Sequence, residues 1–344
     1  MSRIMVSILA TYYNNYEYVD EGIQSILNQD CDFEYEIILG DDGSNDGTRE
    51  KLEKWCEAYP NIMSLHVMER DNDKQYLGPV RASRNRLNLL QYVRGKYFMY
   101  FDGDDYYIDS GKLREQVEIM ERHPEYVACG HRVRVMGRDS VESYIPPKIK
   151  PFKKPLWTYW IHEYLHTNSL MFRSEYKSRV DMNVLNDFFN DNCITYSMIQ
   201  SGKVFYFPKT MSVYRWTGQG IYTNSSDVVK HLREIMSFDI ELRINKSMWL
   251  ISCFRHKKHL LFFSDYYNNK QVPVVEDETM KKWKDLIINN DMALTIDCYN
   301  CALSGVMSRR LRRYMTLAMI MNALCNTLLF LVESKSASKT AANA

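Results

Sequence analysis

The chain has no excess of charge of either sign. Its 44 Lys and Arg stand against 43 Asp and Glu, a net charge of +1. There is therefore no general electrostatic case for nucleic acid as a partner. A cysteine framework is also missing. Of 8 cysteines, only Cys298 and Cys301 form a C-x-x-C, and no second pair completes a zinc site. The apolar run near Met1 is too short for a secretory signal and lacks a small-residue cleavage site. Reduced thiols in a cytoplasmic protein are the expectation. No internal repeat is present, and glycine nearly vanishes beyond residue 226.

What is present describes a globular protein. Hydrophobic residues make up 45% and charged residues 25%, enough for a proper core. A length of 344 residues suits one large domain or two ordinary ones. Aromatics reach 13%, with 25 Tyr, a composition suited to stacking on flat ligands and equally to an aromatic core.

Apolar, strand-like runs fall at 4–10, 35–39, 62–67 and 96–101, and helical spacing falls between them at 18–27, 48–56 and 80–93. This alternation predicts parallel βαβ units and an α/β sheet. Ligands of such sheets bind beyond the carboxyl ends of the strands. Polar clusters stand at those ends: 11–13, 41–42 and 102–105. A helix is expected at 110–122, a strand at 126–135, a loop at 145–155 and a strand at 168–173. A helix at 188–200 and two short strands, 203–207 and 211–215, separated by Pro208, complete this part. The expected domains are 1–225, with a nucleotide half at 1–109 and an acceptor half at 110–225, and a helical region at 226–333. The Ser/Ala/Lys-rich tail, 334–344, is expected to be disordered.

The run at 96–107, KYFMYFDGDDYY, ends an apolar strand in Asp102, Asp104 and Asp105. Carboxylates this close repel one another, which raises at least one pKa unless a cation is present. Magnesium or manganese commonly bridges such carboxylates to a substrate's phosphates. The plainer reading is an acidic turn before the next helix.

Four segments in order resemble family 2 glycosyltransferases of the GT-A fold. They are VSILATYYNN with GIQSILNQ, YEIILGDDGSNDGT, RASRNRLNLLQYVRGKYFMYFDGDD and NDNCITYSMIQSGKVFYFPKTMSVYR. The resemblance covers roughly residues 4–220. It implies an inverting transferase that moves a sugar from a nucleotide sugar, a UDP-sugar foremost, to a hydroxyl of a glycan or lipid-linked glycan. It implies Mn2+ or Mg2+ as cofactor. Thr11 and Tyr13 would lie where a ring stacks on the base, and Asp42, with Asp41 as the alternative, would accept from uracil. Arg84 beside Asn85 would meet base or phosphate with its planar fork. Asp102 would face ribose or metal, Asp104 would be the principal metal ligand, and Asp105 would follow. The acceptor's base would be Asp191, eleven residues before Gly202, with Asp187 as the other candidate. Two departures stand out. Asn190 replaces the family's Glu, and Tyr214-Arg215-Trp216-Thr217 lacks the family's histidine.

Other signals compete. His162-Glu163-Tyr164-Leu165-His166 matches H-E-x-x-H, which on a helix would make a zinc hydrolase. A non-catalytic nucleotide-sugar-binding module is a third reading. Near the C-terminus, Arg309, Arg310, Arg312 and Arg313 precede an apolar run at 314–332. That pattern suits peripheral docking on an anionic membrane, a core helix, or, with its internal Asn322 and Asn326 counting against it, a spanning helix.

Overall fold

A computed structural model describes residues 4–68, 77–137, 143–145, 152–154, 166–179, 190, 193, 195–197, 200, 202–217, 225–269 and 272–342. The chain divides into two compact units, Met1–Asn224 and Ser225–Ala344.

Among the described residues, the first unit is built on one ten-stranded sheet. Its opening half alternates strand and helix: β1 (Val6–Tyr12), α1 (Val19–Leu27), β2 (Tyr35–Asp41), α2 (Thr48–Ala58), β3 (Met63–Val67), α3 (Gly78–Leu90) and β4 (Tyr97–Asp102). Strands β1, β2 and β4 are buried almost throughout. They therefore read as near-continuous apolar runs, the signature of parallel strands covered on both faces. The sheet order begins β3-β2-β1-β4, and all three of these pairings are parallel. The α/β expectation holds, with element ends within a few residues of those read from periodicity.

The rest of the sheet is mixed. β5 (Tyr106–Tyr107), α4 (Lys112–Arg122), β6 (Tyr126–Met136), β7 (Ser143–Ile145), β8 (Phe152–Lys154), β9 (Met171–Arg173) and β10 (Lys203–Arg215) follow. β9 pairs antiparallel with both β4 and β6, and β10 runs parallel to β6. Three details differ from the sequence reading. β10 is one strand, because register shifts around Phe207, Thr210 and Ser212 accommodate Pro208; a bulge is where a strand tolerates a residue without a backbone donor. The expected loop at 145–155 contributes β8. The expected strand at 168–173 is a 3-10 turn, Thr167–Ser169, followed by β9.

The second unit is helical. Helices Asp227–Ile244, Trp249–Arg255, Lys257–Asn268, Glu278–Asn289 and Ala293–Ser304 precede a last helix, Arg309–Ala342. Ser226 and Asp277 cap two of them, each side chain accepting the backbone N–H three residues on. The last helix runs as far as Ala342, into the Ser/Ala/Lys-rich segment; alanine and lysine, frequent there, are strong helix formers. Among the described residues, no helix is long and apolar enough to cross a membrane, which sets aside the spanning reading.

Candidate active site at the strand ends

The register of the parallel strands assembles the site. Thr11 lies opposite Gly40 on one side and Asp102 on the other, and Tyr12 lies opposite Asp41. The three polar clusters therefore stand side by side along one sheet edge. Backbone bonds tie the ends together: Asp42 N–H donates to Tyr12 O at 3.0 Å, and Gly103 N–H donates to Thr11 O at 2.9 Å.

The two aspartates after β2 divide the work. Asp41 is fully buried, and its Oδ2 accepts the N–H groups of Gly43 and Ser44, both at 3.1 Å. It shapes the turn, in which Gly43 has a φ of +72°, a conformation glycine adopts without penalty. Asp42 instead faces Arg81 of α3, with Oδ1 2.8 Å from the guanidinium and both side chains almost wholly buried. A few residues on, Arg86 meets Asp102 Oδ1 at 3.0 Å. Thr11 Oγ1 approaches the same oxygen at 3.5 Å. Asn85 donates to Gly40 O at 3.1 Å and anchors α3 to β2. Arg84, the arginine singled out from sequence, is half-buried on that helix. Arg81 and Arg86 meet the strand-end carboxylates Asp42 and Asp102. The available signal was spacing: Arg81 and Asn85 are four apart and share a helix face.

Tyr13 follows β1 and is 44% exposed. Tyr12 points the other way and is buried beneath Gly103.

The three carboxylates after β4 have different surroundings. Asp105 is fully buried. Its Oδ2 accepts from Asn168 Nδ2 at 2.6 Å, and its Oδ1 accepts the backbone N–H of Arg215 at 3.0 Å. Ser212 in turn donates to Asn168 Oδ1 at 3.1 Å. Both oxygens thus accept from protein donors, which makes Asp105 the tie between this loop and β10. Asp102 and Asp104 are half-buried. Burial, then the charge of Asp102, pushes the Asp104 carboxyl up to about 6. Arg215 braces the loop from outside. Its guanidinium donates to Asp104 O at 2.8 Å, pairs with Glu21 of α1 and lies 4.4 Å from the Tyr106 ring.

These residues fit a divalent cation. Two carboxylates face each other's charge, and the repulsion shows in the raised Asp104. Among the described residues, no three His, Cys, Asp or Glu side chains converge as a closed metal cage. Magnesium-type ions are commonly held by one or two carboxylates, with substrate phosphates completing the shell, so two ligands suffice.

The zinc-hydrolase pattern is not supported at its described end. His166 has extended backbone, with φ −68° and ψ 143°, where the motif requires a helix. Its side chain accepts from the Asn168 N–H, and its ring lies 4.3 Å from that of Tyr214. His162 and Glu163 lie outside the described residues, as do Asp187 and Asp191. Asn190, where the resemblance expects Glu, accepts the backbone N–H of Cys193 at 2.8 Å, the pattern of a helix N-cap.

Comparison with known proteins gives a family and a fold. The family model described as Glycosyl transferase family 2 matches residues 7–179. An uncharacterized protein of Mycobacterium tuberculosis is 28% identical over 219 residues, 63% of this chain and 60% of its own length. A poly(ribitol-phosphate) beta-glucosyltransferase of Bacillus spizizenii is 32% identical over 134 residues, 39% of this chain and 20% of its own. The chain thus spans about 60% of the mycobacterial relative and a smaller part of the Bacillus one. Among solved structures, S. aureus TarS 1–349 in complex with UDP-GlcNAc is similar in fold. Its TM-score is 0.59 at 15% identity, covering 92% of this chain and 89% of TarS 1–349.

Proposed function

The chain belongs to glycosyl transferase family 2, and from that premise we propose an inverting, metal-dependent transfer from a nucleotide sugar. The donor in this reading is a UDP-sugar, and the acceptor is a hydroxyl of a glycan or lipid-linked glycan. One observation carries it. The in-register ends of β2, β1 and β4 bring Asp42 with Arg81, Tyr13, and Asp102 with Arg86 and Asp104 onto one edge. That edge offers an acceptor for a base N–H, a ring for the base face, and carboxylates near a diphosphate.

Each residue then has a task. Asp42, oriented by Arg81, accepts the imide N–H of uracil. Tyr13 covers the face of the base. Asp102 faces the ribose, and with Asp104 it would hold Mn2+ or Mg2+. Held there, a divalent ion would supply positive charge to offset the charge on the leaving diphosphate. Asp191 removes the acceptor's hydroxyl proton as the oxygen attacks the anomeric carbon. The bond to the diphosphate breaks on the opposite side, so configuration inverts. Arg215 and Asp105 hold the loop bearing Asp104.

TarS shares the fold and holds UDP-GlcNAc, so UDP-linked donors are the first to test. Purified protein incubated with a panel of UDP- and GDP-sugars should consume one donor class with manganese or magnesium and stop when the metal is chelated. Binding of UDP with no turnover of any donor would favour a non-catalytic module. Asp191→Asn should keep donor binding and lose transfer by about a hundredfold or more. Full transfer in that variant, with Asp187→Asn inactive, would reassign the base to Asp187.

A further inference from the structure

The last helix carries two apolar stripes, and its own unit uses one. Leu311, Met315 and Ala318 are buried, at the four- and three-residue spacing of a single helix face. About half a turn away, Arg309, Arg313, Ile320 and Leu324 are exposed at spacings of four, seven and four. Ile320 is 51% exposed and Leu324 55%, and Met319 beside them is 53% exposed. Arg310 and Arg312 are exposed as well. A helix whose inner stripe is packed gains nothing within its own unit from a second apolar stripe.

Charge is as one-sided as the apolar surface. No Asp or Glu occurs between Asp297 and Glu333. Among the described residues, no ion pair engages any of the four arginines. The outward face thus starts with a turn of uncompensated positive charge and continues into aliphatic side chains on the same side.

We propose that this face docks the protein on an anionic lipid surface, with the helix lying in the plane of the interface. The guanidinium groups meet phosphate headgroups. Met319, Ile320 and Leu324 enter the boundary with the acyl chains, the usual pose of a basic amphipathic helix. A flat pose also agrees with the absence, among the described residues, of any helix suited to crossing a membrane. This surface lies in the helical unit, and the inference does not depend on the identity of the donor.

The test uses the full-length chain and sedimentation with vesicles. Phosphatidylcholine vesicles containing phosphatidylglycerol should carry the protein down at low salt, and pure phosphatidylcholine vesicles should not. Added salt should weaken the binding. Replacing all four arginines, Arg309→Gln, Arg310→Gln, Arg312→Gln and Arg313→Gln, should lower partitioning by more than tenfold, given about fivefold per basic residue. Ile320→Asp with Leu324→Asp should remove the part of the binding that resists salt. Both variants alter exposed positions, so melting temperature and donor hydrolysis should stay at wild-type values. An intact chain that ignores anionic vesicles overturns the proposal, as do variants that bind like the wild type. Sedimentation equilibrium covers the other occupant. A dimer abolished by Ile320→Asp and Leu324→Asp, without vesicle binding, would assign the face to a second copy of the chain and overturn the lipid reading.

Discussion

Asp104 is held partly protonated near neutrality by burial and by the charge of Asp102. This has two consequences of opposite sign. In the proposed function a metal ion needs the ionised carboxylate, so donor turnover should fall as pH drops through about 6. For stability of the metal-free protein, a carboxyl raised above its ordinary value favours folding less when ionised. The penalty is absent below the unfolded value near 3.8 and fully present above about 6. Asp104→Asn should therefore abolish metal-dependent donor binding while raising metal-free stability at pH 7 by on the order of 1–2 kcal/mol. Calorimetry of UDP with manganese checks the first effect and thermal melting across pH 4 to about 8 checks the second; unchanged UDP binding would remove Asp104 from the metal site. Asp42 gives a matching case. Arg81→Met leaves a buried carboxylate without its guanidinium and should cost about 3–5 kcal/mol. Adding Asp42→Leu should recover much of that stability but not donor binding, which denaturant melts and calorimetry can separate.

Strand ends, and the loops that close them, set how near the site groups come. Gly103 lies over the ring of Tyr12, where an added Cβ would stand 2.3 Å from a ring carbon and 2.8 Å from Thr11 O. Neither neighbour can yield, since Tyr12 is buried and Thr11 O accepts the Gly103 N–H. Gly103→Ala should force the ends of β1 and β4 apart. The expected cost is about 1–3 kcal/mol, with loss of donor binding even though Asp102 and Asp104 remain. On the other side of the loop, Arg215 joins β10 to α1 through Glu21 and to the Asp104 carbonyl. Arg215→Lys keeps the charge but not the fork. It should lower turnover by at least tenfold with little change in UDP affinity, because the groups proposed to bind the base, Tyr13 and Asp42, directly follow β1 and β2. A steady-state split of kcat from KM checks this; an unchanged kcat would remove Arg215 from the positioning of the loop.

The whole chain consists of two units with separate cores, Met1–Asn224 and Ser225–Ala344. Every described residue of the candidate site belongs to the first. A chain ending at Asn224 should therefore hydrolyse the donor that the intact protein uses, while losing adsorption to anionic vesicles. Hydrolysis assays and vesicle sedimentation on the two lengths test this together. A shortened chain that is folded, by circular dichroism, yet inactive would place part of the active site in the helical unit.

The strands and helices of the first unit were legible in sequence because buried parallel strands are continuous apolar runs, and helices between them repeat at 3.6 residues. The polar clusters at positions 11–13, 41–42 and 102–105 were legible for the same reason, as abrupt ends to those runs. Which member of each cluster faces the ligand was not. Asp41 and Asp42 are adjacent and chemically identical, yet one shapes a turn and the other meets Arg81. Asp104 and Asp105 differ likewise, because Asp105 is claimed by Asn168 and Arg215, more than sixty residues away in sequence. Arg81 and Arg86 meet Asp42 and Asp102, pairings that depend on where α3 packs along the sheet edge and that spacing in sequence does not announce. Residue type and spacing determine that carboxylates gather at one edge. Their separate tasks depend on donors brought from distant segments, and only the tertiary structure supplies those.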